Sequence, residues 1–335
     1  MPVGKPVFCF LLAAFYFGSM LTIQTTLRPV RKTLSSSLLN AVGNTPLLPL
    51  TRLGAGLPAE VQLFAKAEWF NPGGSVKDRP AANIIRRALA DGKLTNGKIL
   101  LDSTSGNMGI SYATLGASLG MNMTLTIPAS ASPERLKILQ ALGAELHLSN
   151  ALEGTDGALR LAQEILEQNP ERYFFADQYN NPANWQAHYE TTGPEIWEQT
   201  RGALTHFVAG LGTTGTLMGG GRYLREKKAE IKLIAVQPDS SFHGLEGLKH
   251  LPSSIQPGIY DVNLADETLE ISTEAAHEMT KRIAREEGLF VGVSSGAAAV
   301  AALSVASRLH EGCVVTVFPD SGYKYLSETF WGFTK

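Results

Sequence analysis

Residues 206–216 read HFVAGLGTTGT. An apolar strand-like run ends in a glycine-rich turn, and the segment after it is apolar with helical spacing. A strand delivered through such a turn to the start of a helix is half of a βαβ unit, and its free backbone N–H groups make an anion site. The same pattern repeats outward along the chain. Strand-like runs at Val61–Lys66, Lys98–Leu101, Met123–Ile127, Glu145–Leu148, Tyr173–Phe175, His206–Ala209, Leu233–Gln237, Phe290–Val293 and Val314–Phe318 alternate with helical segments. That alternation predicts an α/β protein on mostly parallel sheet. One sheet of that many strands would be large, so the expectation is two domains sharing a cleft, residues 37–184 and 185–330. The turn-rich NNPAN at Asn180–Asn184 marks the joint, and the irregular stretch Ser240–Asp261 is placed to cover a site.

The 335 residues are 44% hydrophobic and 18% charged, with 29 Lys and Arg against 31 Asp and Glu. This near balance gives no basic face for nucleic acid. Two cysteines, Cys9 and Cys313, cannot build a disulfide framework, and no Cys/His spacing suits a metal. A reducing, cytoplasmic setting is therefore expected. Residues 1–36 stand apart as a hydrophobic extension. VFCFLLAAFYFG at 7–18, continued by Met20–Ile23, approaches the ~20 residues that cross a bilayer, and Lys5 precedes it. It reads as a dispensable extension with translation starting at Met20, as a signal or membrane anchor, or as a locally packed segment.

Four strand-to-helix loops carry candidate chemistry. In Asn71-Pro72-Gly73-Gly74-Ser75-Val76-Lys77 a glycine turn sets Lys77 at a helix start. Burial and the helix dipole there would both lower its pKa and make it a nucleophile or base, unless it is simply solvated. The loop Ser103-Thr104-Ser105-Gly106-Asn107-Met108-Gly109 suits a carboxylate, or is an ordinary cap. Gly210–Thr216 suits a phosphate, yet it also spells G-x-G-x-x-G, with Asp239 24 residues after Gly215. An NAD-dependent oxidoreductase is the rival on those letters. Its late place in the chain and its three threonine hydroxyls count against that reading. Gly292-Val293-Ser294-Ser295-Gly296 opens an alanine-rich helix, with a serine to bond a ligand or cap the helix. A lysine amine, an anion loop and two polar loops are together the parts that hold a phosphorylated aldehyde cofactor.

NTPLLPL at 44–50, NPGGSVKDRP at 71–80, TSGNMG at 104–109, QYNNPAN at 178–184, TTGPEIW at 191–197, GLGTTGT at 210–216, GVSSG at 292–296 and PDSGYKYLS at 319–327 follow one another in family order. Over residues 38–330 the chain resembles the cysteine synthase / cystathionine β-synthase family of pyridoxal-phosphate enzymes, on the cysteine synthase B (O-acetylserine sulfhydrylase) side. The resemblance implies a fold-type II, tryptophan synthase β-like architecture with pyridoxal 5'-phosphate in the cleft between two domains. It implies that Lys77 is the Schiff-base lysine and that Asn107 bonds the cofactor's ring oxygen. Gly212, Thr213, Thr214, Gly215 and Thr216 then bind phosphate, and Ser294 faces the pyridine nitrogen. Thr104, Ser105 and Gln178 hold the substrate carboxylate. The implied reaction is a β-replacement through an aminoacrylate, making L-cysteine from O-acetyl-L-serine and sulfide or another sulfur donor. The resemblance also implies a homodimer, with serine acetyltransferase or a sulfur-carrier protein as a partner.

Two departures bear on substrate. Met108 stands where the family usually has threonine, which removes a hydroxyl beside the substrate. Gln237–Ser240 lacks the arginine that relatives using O-phosphoserine resemble one another in carrying, which favours the acetyl ester. His243, Lys249 and His250 are the remaining nearby cations and read as an exposed loop. Cystathionine β-synthase activity is less expected, because the sequence shows neither the heme-binding amino-terminal region nor the regulatory carboxyl-terminal pair. A partner-binding scaffold is the alternative from a different class.

Overall fold

The computed structural model describes residues 37–95, 97–104 and 106–332. The apolar extension with Cys9, and Ser105 of the substrate loop, lie outside the described residues. Two sheets organise the chain. The larger comprises β1 (Leu47–Pro49), β2 (Val61–Ala67), β7 (His206–Gly210), β8 (Lys232–Pro238), β9 (Glu267–Ile271) and β10 (Gly312–Phe318), in the order β1-β2-β10-β7-β8-β9. The smaller comprises β3 (Ile99–Ser103), β4 (Met123–Pro128), β5 (Glu145–Ser149) and β6 (Tyr173–Phe175), in the order β5-β4-β3-β6. Every pairing is parallel except β1 with β2. The central strands β8 and β10 are buried at almost every position, as parallel strands covered on both faces must be.

The helices are α1 (Asp78–Ala90), α2 (Asn107–Leu119), α3 (Pro133–Ala141), α4 (Gly154–Gln168), α5 (Ala183–Ala187), α6 (Gly193–Gln199), α7 (Gly215–Lys227), α8 (Thr273–Arg282) and α9 (Val293–Ala306). None among the described residues is long and apolar enough to cross a membrane. The alanines of α9 at 297, 298, 299, 301 and 302 are buried. Small side chains let this helix lie close to its neighbours on the large sheet.

The expected strands are present with one exception. Residues 290–292 make a single bridge, Val291 to Ser321, and Val293 already belongs to α9. Between the left-handed Gly288 (φ +71°) and the first turn of α9 there is room for one bridge and no ladder. Two strands were not expected, β1 and β9. Both are edge strands, one ending in proline and the other carrying glutamates, so neither shows a long apolar run. The sheets also cut across chain order, since β1 and β2, from residues 47–67, belong to the same sheet as β7 to β10.

Two of the apolar cores lie on either side of one residue. Val76 packs with Leu204, Phe207 and Val315 beneath the large sheet. Ala81, Ile84 and Ile85, one turn later on α1, pack with Leu100, Ile110 and Leu125 against the small sheet. Lys77 lies between them. A buried charge cluster fixes that crossing. Arg79 bonds Glu68 through Nε (2.7 Å) and Glu195 through Nη1 (2.7 Å), and Lys66 on β2 bonds Glu195 at 2.6 Å. Thr45 Oγ1 donates to Glu68 (2.7 Å), and Gln199 accepts from Lys66 (2.9 Å). Two cations face two carboxylates, so the group is neutral and closely hydrogen-bonded, the condition under which buried charge is tolerable.

Burial alone would raise the pKa of Glu195, but Arg79 and Lys66 outweigh it and hold the carboxyl at about 2. Its stabilisation is therefore complete above the ordinary value of 4.5 and is lost as the pH falls toward 2. Glu195→Gln should lower unfolding stability at pH 7 by about 3–5 kcal/mol, because Arg79 and Lys66 keep their charge without its partner. Urea denaturation of both proteins from pH 7 to pH 2 checks this. The gap should close as the acid limb is descended, and equal urea midpoints at pH 7 would refute it.

Candidate active site

Lys77 immediately precedes Asp78, the first residue of α1, in helical conformation (φ −70°, ψ −16°). Its Nζ donates to Thr213 Oγ1 at 3.0 Å. Burial lowers its pKa to about 8, against the opposing pull of Asp102. An ordinary lysine would be almost wholly charged at pH 7; this one is roughly one-tenth neutral amine. The solvated-lysine reading therefore gives way to a buried amine tied to the glycine loop.

That loop leaves β7 and enters α7. Helix geometry leaves the first N–H groups of α7 without intrahelical partners, and Arg225 and Lys227 occupy its last turn. Thr213 Oγ1 also accepts from Asn184 Nδ2 at 3.0 Å. Thr214 is held left-handed (φ +69°), and its buried hydroxyl has no partner. Strain and an orphaned donor together mark a place kept for a ligand. A Cβ at Gly215 would stand 2.0 Å from Asn184 Oδ1, so any larger residue would displace the amide that bonds Thr213. At Gly212 a Cβ would stand 2.3 Å from the Gly247 carbonyl oxygen. Gly212, Thr213, Thr214, Gly215 and Thr216 share a small chamber with Lys77, Asn107 and Ser294. Ser294 is the second residue of α9, and the hydroxyl of neighbouring Ser295 is buried without a partner.

The facing wall comes from the small sheet. Thr104 Oγ1 accepts from the N–H groups of Gly106 (2.9 Å) and Gly109 (3.0 Å), so it does cap α2. It also lines the main cleft, of about 640 Å³, and keeps its own hydrogen to donate. Asn107, Met108 and the buried Gln178 line the same cleft. Gln178 Nε2 bonds the Ser103 carbonyl, which leaves one amide hydrogen for a ligand. Asn107 donates through Nδ2 to Asp320 (2.7 Å) and accepts at Oδ1 from Lys324 (2.8 Å).

Residues 241–249 of the irregular stretch form the cleft's third side. Here the exposed-loop reading is corrected for Lys249. It is buried, pairs with Asp156 at 3.0 Å and lies 4.9 Å from the centre of the Tyr179 ring. The acid that draws it inward is far away in sequence, in α4. Burial lowers the His243 pKa, so that ring is neutral at pH 7. His250 is half-buried, its Nδ1 2.7 Å from Ser253 Oγ.

Several contributors were not singled out from the sequence. Asn184 was read only as part of a joint, although it is the side chain against which the glycine loop packs. Arg135 pairs with Glu246 across the cleft and packs against Gly106, whose φ of +146° no side chain would favour. Asp320 and Lys324 stand behind Asn107. All four act through neighbours distant in sequence, so although Asn184, Asp320 and Lys324 fall within the motifs QYNNPAN and PDSGYKYLS, the local pattern does not show their roles. Among the described residues no cluster of His, Cys, Asp and Glu could hold a metal.

These groups fit pyridoxal phosphate. A helix N-terminus, the unpartnered Thr214 hydroxyl and glycine-only contacts could hold a phosphate, and a buried amine of depressed pKa could engage an aldehyde. The family model for pyridoxal-phosphate dependent enzymes matches residues 38–320. The cysteine synthase of Aquifex aeolicus is 50% identical over 304 residues, covering 89% of this chain and 93% of that protein. Cysteine synthase B of Escherichia coli is 41% identical over 297 residues, 89% and 96% of the two chains. The crystal structure of Entamoeba histolytica cysteine synthase matches with a TM-score of 0.85 at 35% identity, over 93% of this chain and 95% of that one. The G-x-G-x-x-G at 210–215 thus lies within a matched pyridoxal-phosphate framework, which displaces the dinucleotide reading. With its fold-type II architecture and matches spanning nearly the whole of both partners, the chain belongs to the pyridoxal-phosphate-dependent enzyme family that includes the cysteine synthases.

Proposed function

We propose that this protein makes L-cysteine from O-acetyl-L-serine and sulfide by β-replacement. The observation that carries the reading is Lys77, a buried amine with a pKa near 8 bonded to the hydroxyl of an anion-binding loop. When bound, pyridoxal phosphate supplies an aldehyde and an electron-withdrawing ring. Residues 212–216 anchor its phosphate and Asn107 faces its ring. The neutral amine of Lys77 takes the proton from the substrate Cα and Thr213 orients that amine. Acetate then departs from Cβ with its electron pair, and sulfide adds at the same carbon. Thr104, just before α2, and Gln178, just after β6, hold the substrate carboxylate together with Ser105, as the family resemblance implies, and the dipole of α2 favours an anion there. A neutral hydroxyl at Ser294, where a carboxylate would keep a ring nitrogen protonated, favours elimination and replacement over transamination.

Charge in the cleft supports an acetyl ester over a phosphoryl ester. Lys249 is neutralised by Asp156, Arg135 by Glu246, and His243 is uncharged at pH 7. A phosphate dianion would find no uncommitted cation among these three. From the family resemblance the reading also carries a cytoplasmic homodimer acting on small molecules.

Lys77→Ala should lack a visible absorption band after reconstitution with pyridoxal phosphate and lose at least about 10²-fold in cysteine synthesis. A band of full intensity in the variant would refute the role. In cofactor-free protein, the rate of Lys77 modification by trinitrobenzenesulfonate, read by peptide mapping, should rise about tenfold per pH unit and level near pH 8. A rise that continues toward 10.5 would mean the amine is solvated. Met108→Thr should change KM for O-acetylserine by restoring a hydroxyl to the carboxylate wall, and identical kinetics for every amino-acid substrate would show that Met108 plays no part in the pocket.

A further inference from the structure

Lys324 lies in a single turn, Gly322–Tyr325, after β10, and its ammonium is buried. Its three hydrogens meet three acceptors: the carbonyl oxygens of Gly73 (3.3 Å) and Gly74 (3.2 Å) and the side-chain oxygen of Asn107 (2.8 Å). Among the described residues no carboxylate bonds it. Asp320 and Asp78 attract it through space, but its direct acceptors are all neutral, and a buried ammonium so held is a costly way to fill space that methionine would fill without charge. Its contacts join two structures that are far apart in the chain. Gly73 and Gly74 form the turn that delivers Lys77, and Asn107 opens α2 on the opposite wall. An ammonium can only donate and a carboxylate can only accept. With Lys324 on one side and Asp320 on the other, the Asn107 amide has a single allowed orientation, oxygen toward Lys324 and Nδ2 away from it. Asp320 is itself fixed by the Tyr325 hydroxyl at 2.8 Å.

We propose that Lys324 is a positioning residue for the cofactor. With Asp320 it fixes the Asn107 amide so that the second Nδ2 hydrogen, the one Asp320 does not take, is the donor offered to the ring, and it ties that donor to the turn carrying Lys77. This rests on the pyridoxal-phosphate reading of the site. Lys324 touches neither cofactor nor substrate; it acts through Asn107.

The test is a double-mutant cycle on the protein resolved of and reloaded with pyridoxal phosphate, read by cofactor Kd and by the position of the visible band. Lys324→Met should raise Kd about tenfold or more, the size of a lost charge-assisted hydrogen bond, and displace the band. Lys324→Arg, which keeps the cation and its donors, should restore both. In an Asn107→Ala background Lys324→Met should change Kd less than twofold, because the group it positions is gone. An unmoved Kd and band in Lys324→Met, or an equal loss with and without Asn107, would overturn the proposal and leave Lys324 a clip for the carboxyl-terminal turn. Should Lys324→Met not fold, Lys324→Gln is read in the same way. Wild-type protein that takes up no pyridoxal phosphate would instead overturn the reading of the site, an outcome seen before any variant is made.

Discussion

Lys66, Arg79, Glu68 and Glu195 form a closed set of two buried cations and two buried carboxylates, and the position of Lys77 depends on it. Arg79 follows Lys77 by two residues, so whatever fixes its guanidinium fixes the first turn of α1. The acids come from the end of β2 and from α6, which places the restraint on the large sheet. Hydrophobic burial could not do this alone. Val76 belongs to one core and Ala81 to the other, and apolar contact is non-directional. A bidentate guanidinium between two carboxylates is directional, and it sets the rotation of α1 about its axis.

The cost of that arrangement appears around the lysine. An amine near pKa 8, a threonine in left-handed conformation and two unpartnered hydroxyls at Thr214 and Ser295 all oppose folding of the ligand-free chain. They lie at the starts of α1, α7 and α9; α7 and α9 cover opposite faces of the large sheet, so the starts of helices from different layers converge on one site. Sites of this kind are where local preference and the global fold disagree, and the surrounding cores supply the stability that lets them persist. A cofactor bearing a phosphate would satisfy several of these groups at once and stabilise the native state by mass action.

Most of this was legible in the sequence because parallel α/β folds put their chemistry at the carboxyl ends of strands. Each loop chosen at a strand-to-helix junction lines the cleft, from Lys77 through Thr104 and Asn107 to Thr213 and Ser294. Edge strands escaped notice because their apolar signal is weak, and Phe290–Val293 misled because an apolar run does not say whether a neighbour is free to pair. Lys249 misled for a similar reason. A lysine in an irregular stretch reads as exposed until the acid that draws it inward is known, and Asp156 lies 93 residues away.

The two walls of the cleft belong to different sheets, and this division has a consequence for catalysis. The glycine loop follows β7 and Ser294 opens a helix packed on the large sheet, Thr104 and Asn107 follow β3 and Gln178 follows β6 of the small one, and Lys77 stands at the head of α1 where the two meet. A substrate that places its carboxylate on one wall and its Cα beside Lys77 on the other ties the two together. The protein already bridges them with charged or polar pairs, Arg135 with Glu246, Ser327 with Glu134 and Lys324 with Asn107. Asn107 with Asp320 and Lys249 with Asp156 add to them, and they run from the exposed Ser327 pair at the rim to the buried Lys324 ammonium. Helix α1 joins the two walls, since Arg79 ties its first turn to the large sheet while Ala81, Ile84 and Ile85 pack it into the core of the small one. A β-replacement enzyme requires that firmness at the lysine, because acetate must leave and a second substrate enter between the two halves of its reaction while Lys77 stays within hydrogen-bonding distance of Thr213.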